Sequence, residues 1–175
     1  MNEKDLDEWR KLMAKKKAVV TNAIRSLRAA GIEFETREYN GDGLLEGDNF
    51  GQKVAELTGL NPKQSFKTIV CTGDKSVYIV ACVPVADECD LKKLAKVSGN
   101  KKVEPVHVKD ILNLTGYIRG GVSPIGMKKK YETYIDESCM RYERIAVSAG
   151  VCGCSVLMNP ADLIKLIDAK VFDII

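Results

Sequence analysis

The sequence predicts an α+β fold: a mixed, largely antiparallel sheet, curled in a barrel-like way, with helices around it. Three observations lead there. Two apolar runs, from Phe66 to Cys71 and from Val77 to Val83, are joined by Thr72-Gly73-Asp74-Lys75-Ser76, a hairpin signal. Helically spaced segments with cap signals alternate with short β-type runs, but without the regular rhythm of a parallel βαβ fold. The totals, 175 residues with 45% hydrophobic and 29% charged, suit one domain with a sizeable core. No apolar run approaches the ~20 residues of a membrane span. Met1-Asn2-Glu3-Lys4-Asp5 is too polar for a secretory signal, so a cytoplasmic protein with no membrane partner is expected. Residues 1–18 read as an N-terminal helical extension and residues 19–175 as the domain, without an internal repeat.

Val20, Ala23, Ile24 and Leu27 make one helical stripe, with Gly31 as its stop. Ile32 to Tyr39 starts in strand alternation and ends at Asn40-Gly41-Asp42-Gly43. Asn49-Phe50-Gly51-Gln52 carries the cap-plus-glutamine signature of a helix start. Val54, Leu57 and Ala55 are expected on its buried face, and Gly59 at its end. Asn61-Pro62 opens a further turn. The second hairpin strand is apolar on both faces and is expected inside a sheet. Asp90 caps a helix with Leu91, Leu94 and Ala95 inward and Lys92, Lys93 and Lys96 outward. Pro105 is expected to start a short helix through Ile111 and Leu112. Tyr131 to Asp136, Arg144 to Val147 and Ser155 to Leu157 read as strands. Asn159-Pro160 opens the last helix, with Leu163, Leu166 and Ile167 on its core face.

Chemistry is constrained first by scarcity. One histidine, His107, sits between valines and is expected to be structural, which removes most Ser-His and Cys-His catalysis. The cysteines, Cys71, Cys82, Cys89, Cys139, Cys152 and Cys154, form no C-x-x-C pair, so reduced thiols and no metal site are expected. A net charge of +3 leaves a nucleic-acid partner open without requiring it.

Against that background, residues 116–126 stand out, because four of the 14 glycines fall within eleven positions. Gly116, Gly120, Gly121 and Gly126, with Ser123-Pro124 among them, predict a loop bent through positive φ. Such a loop can turn backbone N–H groups toward a phosphate or an oxyanion. Gly116, Gly121, Ser123 and Pro124, with the segment Ser148-Ala149-Gly150 as a second turn, are candidate substrate contacts. Lys128, Lys129 and Lys130 follow as a candidate phosphodiester-binding run. Lys67, at the head of an apolar strand, either snorkels outward or points its ammonium into a pocket. Tyr39, at a strand end, is a candidate base-stacking or pocket-capping ring. No P-loop spacing and no convincing carboxylate pair are present.

Taken together, Phe50-Gly51, Gly59-Leu60-Asn61-Pro62, Ser65-Phe66-Lys67-Thr68, Asp90-Leu91-Lys92-Lys93-Leu94-Ala95-Lys96, Lys101-Lys102-Val103-Glu104 and the stretch from Thr115 to Gly126 resemble the YbaK-type aminoacyl-tRNA deacylases. That family includes bacterial Cys-tRNA(Pro) deacylase and the editing domain of bacterial prolyl-tRNA synthetase. The resemblance implies hydrolysis of a mischarged aminoacyl-tRNA, most of all Cys-tRNA(Pro), with no cofactor. Mischarged tRNA is the implied partner and prolyl-tRNA synthetase a second candidate; oligomeric state stays open. It also implies that Lys67 holds the substrate near its carbonyl or terminal ribose and that the Gly120 N–H meets the oxyanion. Tyr39, Phe50, Thr68 and Ser148 would line the pocket. The resemblance further implies that no protein nucleophile is used and that, in cysteine-specific members, the substrate's own thiol attacks its carbonyl. Editing of Ala-tRNA(Pro) or another small aminoacyl-tRNA, and a non-catalytic tRNA- or synthetase-binding module, are the alternatives. Ala149 in place of a common glycine, Val151-Cys152-Gly153-Cys154 in place of a more basic stretch, and Tyr131-Glu132 without a common proline depart from the pattern.

Overall fold

A computed structural model describes residues 18–44 and 49–175. Residues 1–17 of the expected N-terminal helical extension lie outside the described residues. Five α-helices and eight strands are formed among the described residues: α1 (Asn22–Ala29), β1 (Phe34–Glu38), α2 (Phe50–Thr58), β2 (Phe66–Gly73), β3 (Ile79–Pro84), α3 (Leu91–Val97), β4 (Val103–Pro105), α4 (Val108–Thr115), β5 (Glu132–Asp136), β6 (Ile145–Val151), β7 (Cys154–Met158), α5 (Pro160–Ile167) and β8 (Lys170–Phe172). None of the described helices is long and apolar enough to cross a membrane.

The strands make two sheets rather than one closed barrel. One is wholly antiparallel, in the order β1-β7-β6; the other runs β4-β2-β3-β5-β8. The β2–β3 hairpin is antiparallel as expected, whereas β3–β5 and β5–β8 are parallel, so the larger sheet is mixed. The sheets meet where Ser65 bridges to Ala146 and the Ala146 N–H donates to the Gln64 carbonyl at 3.0 Å.

Strand β3 is buried at all six positions because each of its faces meets a different core. Val80 and Cys82 join the larger cluster with Ile24, Leu27, Ile135, Ile145, Val156 and Leu163. Ile79, Ala81 and Val83 join Leu94, Ala95 and Tyr134 under α3. Fully burying a side chain of Ile or Leu size contributes about 1.5–3 kcal/mol, so this central strand and its two covers anchor the fold. Asn100 pins the β2–β3 hairpin: its Oδ1 accepts from the N–H groups of Lys75 and Ser76, each at 2.9 Å.

Several local expectations need correction. Val20 is exposed because the α1 cap falls at Thr21, one residue after it. Asn49 does not cap α2 with its side chain; its φ of 70° is left-handed, whereas a side-chain cap needs an extended residue. On α2 the buried residue is Ala55, while Leu57 is 56% exposed. Pro105 ends the edge strand β4, and α4 starts only at Val108, with His107 exposed at its N-cap; Leu112 faces out. Ser148, Ala149 and Gly150 do not form a turn but continue β6, with an irregular register between Ser148 and Val151. The short strands β4 and β8 were not expected; at three residues each, they have no periodicity to read.

Candidate active site

The glycine loop, residues 116–127, takes its shape from its own side chains and from α1. Gly116 ends α4 in the left-handed region (φ 79°), and Gly120 and Gly126 share that region at 86° and 70°. Tyr117 is buried and donates its hydroxyl to the Ile125 carbonyl at 2.6 Å. The Ser123 hydroxyl, fully buried, accepts from the Ile125 N–H at 3.2 Å. A Cβ on Gly126 would come within 2.8 Å of the Asn22 backbone, and one on Gly121 within 2.9 Å of Val151 and Cys152. A Cβ on Gly150 would meet the Tyr117 ring at 2.7 Å. Ala149 takes a hydrogen bond on its carbonyl from the Thr21 hydroxyl. The loop is therefore seated on α1 and β6 at points where only glycine allows the approach.

A cavity of about 370 Å³ lies between this loop, the start of β2, α2 and the middle of β6. Of the residues expected at the site, Tyr39, Phe50, Lys67, Thr68, Gly120 and Ser148 line it. Gly116, Gly121, Ser123, Pro124, Ala149 and Gly150 do not, because their packing and hydrogen bonds build the loop and its support. The Gly121 N–H, for example, donates to the Ile118 carbonyl at 2.9 Å. The Gly120 N–H has no hydrogen-bond partner among the described residues. Lys128, Lys129 and Lys130 are exposed outside the cavity, with Lys130 paired to Asp168 at 3.2 Å.

Lys67 is the second residue of β2, opposite Val83, and Thr68 stands opposite Cys82. The Lys67 Nζ lies 3.1 Å from a carboxylate oxygen of Glu88; the lysine side chain is 28% exposed and the glutamate 92%. Lys67 thus points toward the cavity end of the strand with one counter-ion. Arg119 also lines the cavity and has no ion pair among the described residues. Ser65 lines it with a buried Oγ that has no hydrogen-bond partner, and Ser155 adds another hydroxyl-bearing residue. Sequence reasoning did not single out Glu88, Arg119, Ser65 or Ser155. Arg119 adjoins Gly120 within the loop that was singled out. Glu88 follows the turn after β3 and carries no local signal.

The titratable groups limit what the cavity can do. Burial pushes the Cys82 and Cys71 thiols up to about 12 and those of Cys89, Cys139 and Cys154 up to about 11. Such thiols stay protonated near neutral pH and are poor nucleophiles. The Tyr39 phenol is also raised, chiefly by burial, so it remains neutral. His107 does not line the cavity. What remains is two cations, a carboxylate, hydroxyls and a backbone N–H, a set fit to orient an ester and stabilise charge on its carbonyl oxygen.

The pattern of the family described as the aminoacyl-tRNA editing domain matches residues 49–166. The chain is 42% identical over 163 residues to EbsC of Enterococcus faecalis, named as a Cys-tRNA(Pro)/Cys-tRNA(Cys) deacylase, covering 93% of this chain and 98% of that one. It is 24% identical over 158 residues to the multifunctional Ser/Thr-tRNA deacylase ProXp-y of Escherichia coli, covering 88% of this chain and 91% of the relative. A crystal structure described as a trans-editing enzyme for prolyl-tRNA synthetase superposes with a TM-score of 0.77 at 22% identity. That match covers 90% of this chain and 98% of the other.

Proposed function

The chain belongs to the aminoacyl-tRNA editing domain family, and from that membership we propose that it is a trans-editing hydrolase clearing mischarged tRNA, with Cys-tRNA(Pro) as its main substrate. The observation that carries this reading is that Lys67 and Gly120, from distant parts of the sequence, border one cavity of about 370 Å³. That volume lies within the ordinary range for small-ligand sites. The Lys67 ammonium holds the terminal ribose or the ester carbonyl, and the Gly120 N–H meets the oxyanion. Tyr39, Phe50, Thr68 and Ser148 bound the aminoacyl group.

The absence of an activated protein thiol or a nearby imidazole among the described cavity residues fits a reaction in which the substrate supplies its own nucleophile. The cysteinyl sulfur attacks its ester carbonyl, forming a carbon–sulfur bond as the carbon–oxygen bond to ribose breaks. The thiol proton ends on the ribose oxygen, and water then opens the thiolactone. The protein's contribution is orientation and oxyanion stabilisation; one oxyanion donor is worth about 2.7–4 kcal/mol in a well-studied protease. We place this activity in the cytoplasm, with prolyl-tRNA synthetase as a candidate partner that supplies mischarged tRNA.

A second reading has a specific observation behind it. Ser65, Thr68, Ser148 and Ser155 give the cavity hydroxyl-bearing walls, which suit a small polar aminoacyl group such as serine better than alanine. A panel of Cys-, Ser-, Ala- and Pro-charged tRNA(Pro) incubated with the purified protein separates the two. Preferential loss of the cysteinyl ester is expected. Preferential serine release would replace thiol attack with water attack, and no ester loss above the buffer rate would end the proposal.

A further inference from the structure

The cavity also holds a carboxylate, and neither the family membership nor the proposed reaction gives it a task. Glu88 is the only acidic side chain among the described residues that line the cavity, against the two cations Lys67 and Arg119. Its backbone is well placed. The turn leading to it, residues 85–87, donates three hydrogen bonds: Val85 N–H to the Ser65 carbonyl at 2.7 Å, Ala86 N–H to the Pro62 carbonyl at 3.3 Å, and Asp87 N–H to the Pro84 carbonyl at 3.0 Å. Gly51 of α2 rests on Val85 so closely that a Cβ there would fall within 2.6 Å. The turn is thus tied to the base of β2 and capped by α2. The Glu88 side chain is 92% exposed and, among the described residues, bonded only to the Lys67 ammonium, an arrangement that contributes little to stability.

An aminoacyl ester of tRNA carries two kinds of charge: phosphodiester anions on the nucleotide side and an α-ammonium on the amino-acid side. A site bearing Lys67 and Arg119 alone would repel that ammonium. We propose that Glu88 recognises the α-ammonium of the aminoacyl group, leaving Lys67 free to turn to the ester as the substrate enters. This rests on the aminoacyl-tRNA reading of the cavity. It makes Glu88 a specificity determinant: esters with a free amine are accepted, and those whose nitrogen is acylated and neutral, as in formylated or peptidyl-tRNA, are disfavoured. The carboxylate does not take part in bond making or breaking.

The test uses the whole chain and two probes that cannot be hydrolysed, 3′-cysteinylamido-3′-deoxyadenosine and its N-formyl derivative, titrated by calorimetry into the wild-type protein and Glu88→Gln. The wild type is expected to bind the free-amine probe about tenfold more tightly, as befits one charge-assisted hydrogen bond. In Glu88→Gln, which keeps the shape and removes the charge, the ratio should fall to near one. A preference that survives in Glu88→Gln, no preference in the wild type, or no binding of either probe overturns the inference. Hydrolysis of Cys-tRNA(Pro) by the same samples reports separately on the proposed reaction. An active enzyme without amine preference would sink only the role of Glu88, and an inactive one that still discriminates the probes would sink only the reaction.

Discussion

Lys67, to which the proposed reaction gives a central role, is held by little that bears on stability. Its only ion pair among the described residues is with a carboxylate that is 92% exposed, so removing the ammonium should leave the fold as stable as before. Lys67→Ala is therefore expected to lower kcat/KM on Cys-tRNA(Pro) by about 100-fold or more, the scale of losing one group that stabilises a transition state. The thermal midpoint should not move. Full retained activity would remove Lys67 from the mechanism. The cysteines teach the converse: Cys82, buried on β3, is chemically quiet because burial keeps its thiol protonated up to about 12. Residue identity in the sequence could suggest a nucleophile, but the surroundings decide whether one exists.

Among elements, the glycine loop and α2 respond to mutation in opposite ways. At Gly126 a side chain would have to adopt a φ of 70° and press within 2.8 Å of the α1 backbone. Gly126→Ala should cost about 2 kcal/mol or more, the left-handed penalty plus displacement of a packed helix. Leu57→Ala, at a position whose helical spacing suggested the core, should change stability by less than about 0.5 kcal/mol, because Leu57 is 56% exposed. Chemical denaturation of both variants checks the pair, and a destabilisation by Leu57→Ala as large as that by Gly126→Ala would contradict the assigned face. The sequence does not fix the face of α2 for a local reason: nine residues, with Gly51 in the first turn and Gly59 at the end, carry too short a pattern. Where each element had a strong two-sided signal, as in β3, the expectation held.

At the scale of the whole molecule, stability should form a plateau bounded on both sides by titration. Backbone N–H donors hold the Asp74 and Asp90 carboxyls below the usual range, and lysine partners do the same for Asp173 and Glu132. Groups lowered on folding stabilise the protein above their ordinary pKa near 4, and that contribution is lost as pH falls through the folded values. The buried thiols of Cys71 and Cys82 and the Tyr117 hydroxyl are raised to about 12. Their contribution is complete below the ordinary values near 9 to 10 and is lost as pH rises toward 12. Thermal melts across pH should therefore show a flat maximum from roughly pH 5 to 9 and a fall on each side. A maximum displaced into the acid range would refute this balance. The sequence by itself determined the α+β class, the β2–β3 hairpin, the two-sided burial of β3, the left-handed backbone at Gly116, Gly120 and Gly126 (though not at Gly121), and Lys67 as a residue needing explanation. Those features depend on neighbours a few positions apart, or on glycine's backbone freedom. Only the tertiary structure decided that the strands make two sheets joined at Ser65 and Ala146, that Gly121 and Ser123 serve the loop's packing instead of lining the cavity, and that Glu88 and Arg119 share the cavity with Lys67. Those facts arise from contacts between segments far apart in the chain, and such distances leave no local periodicity to read.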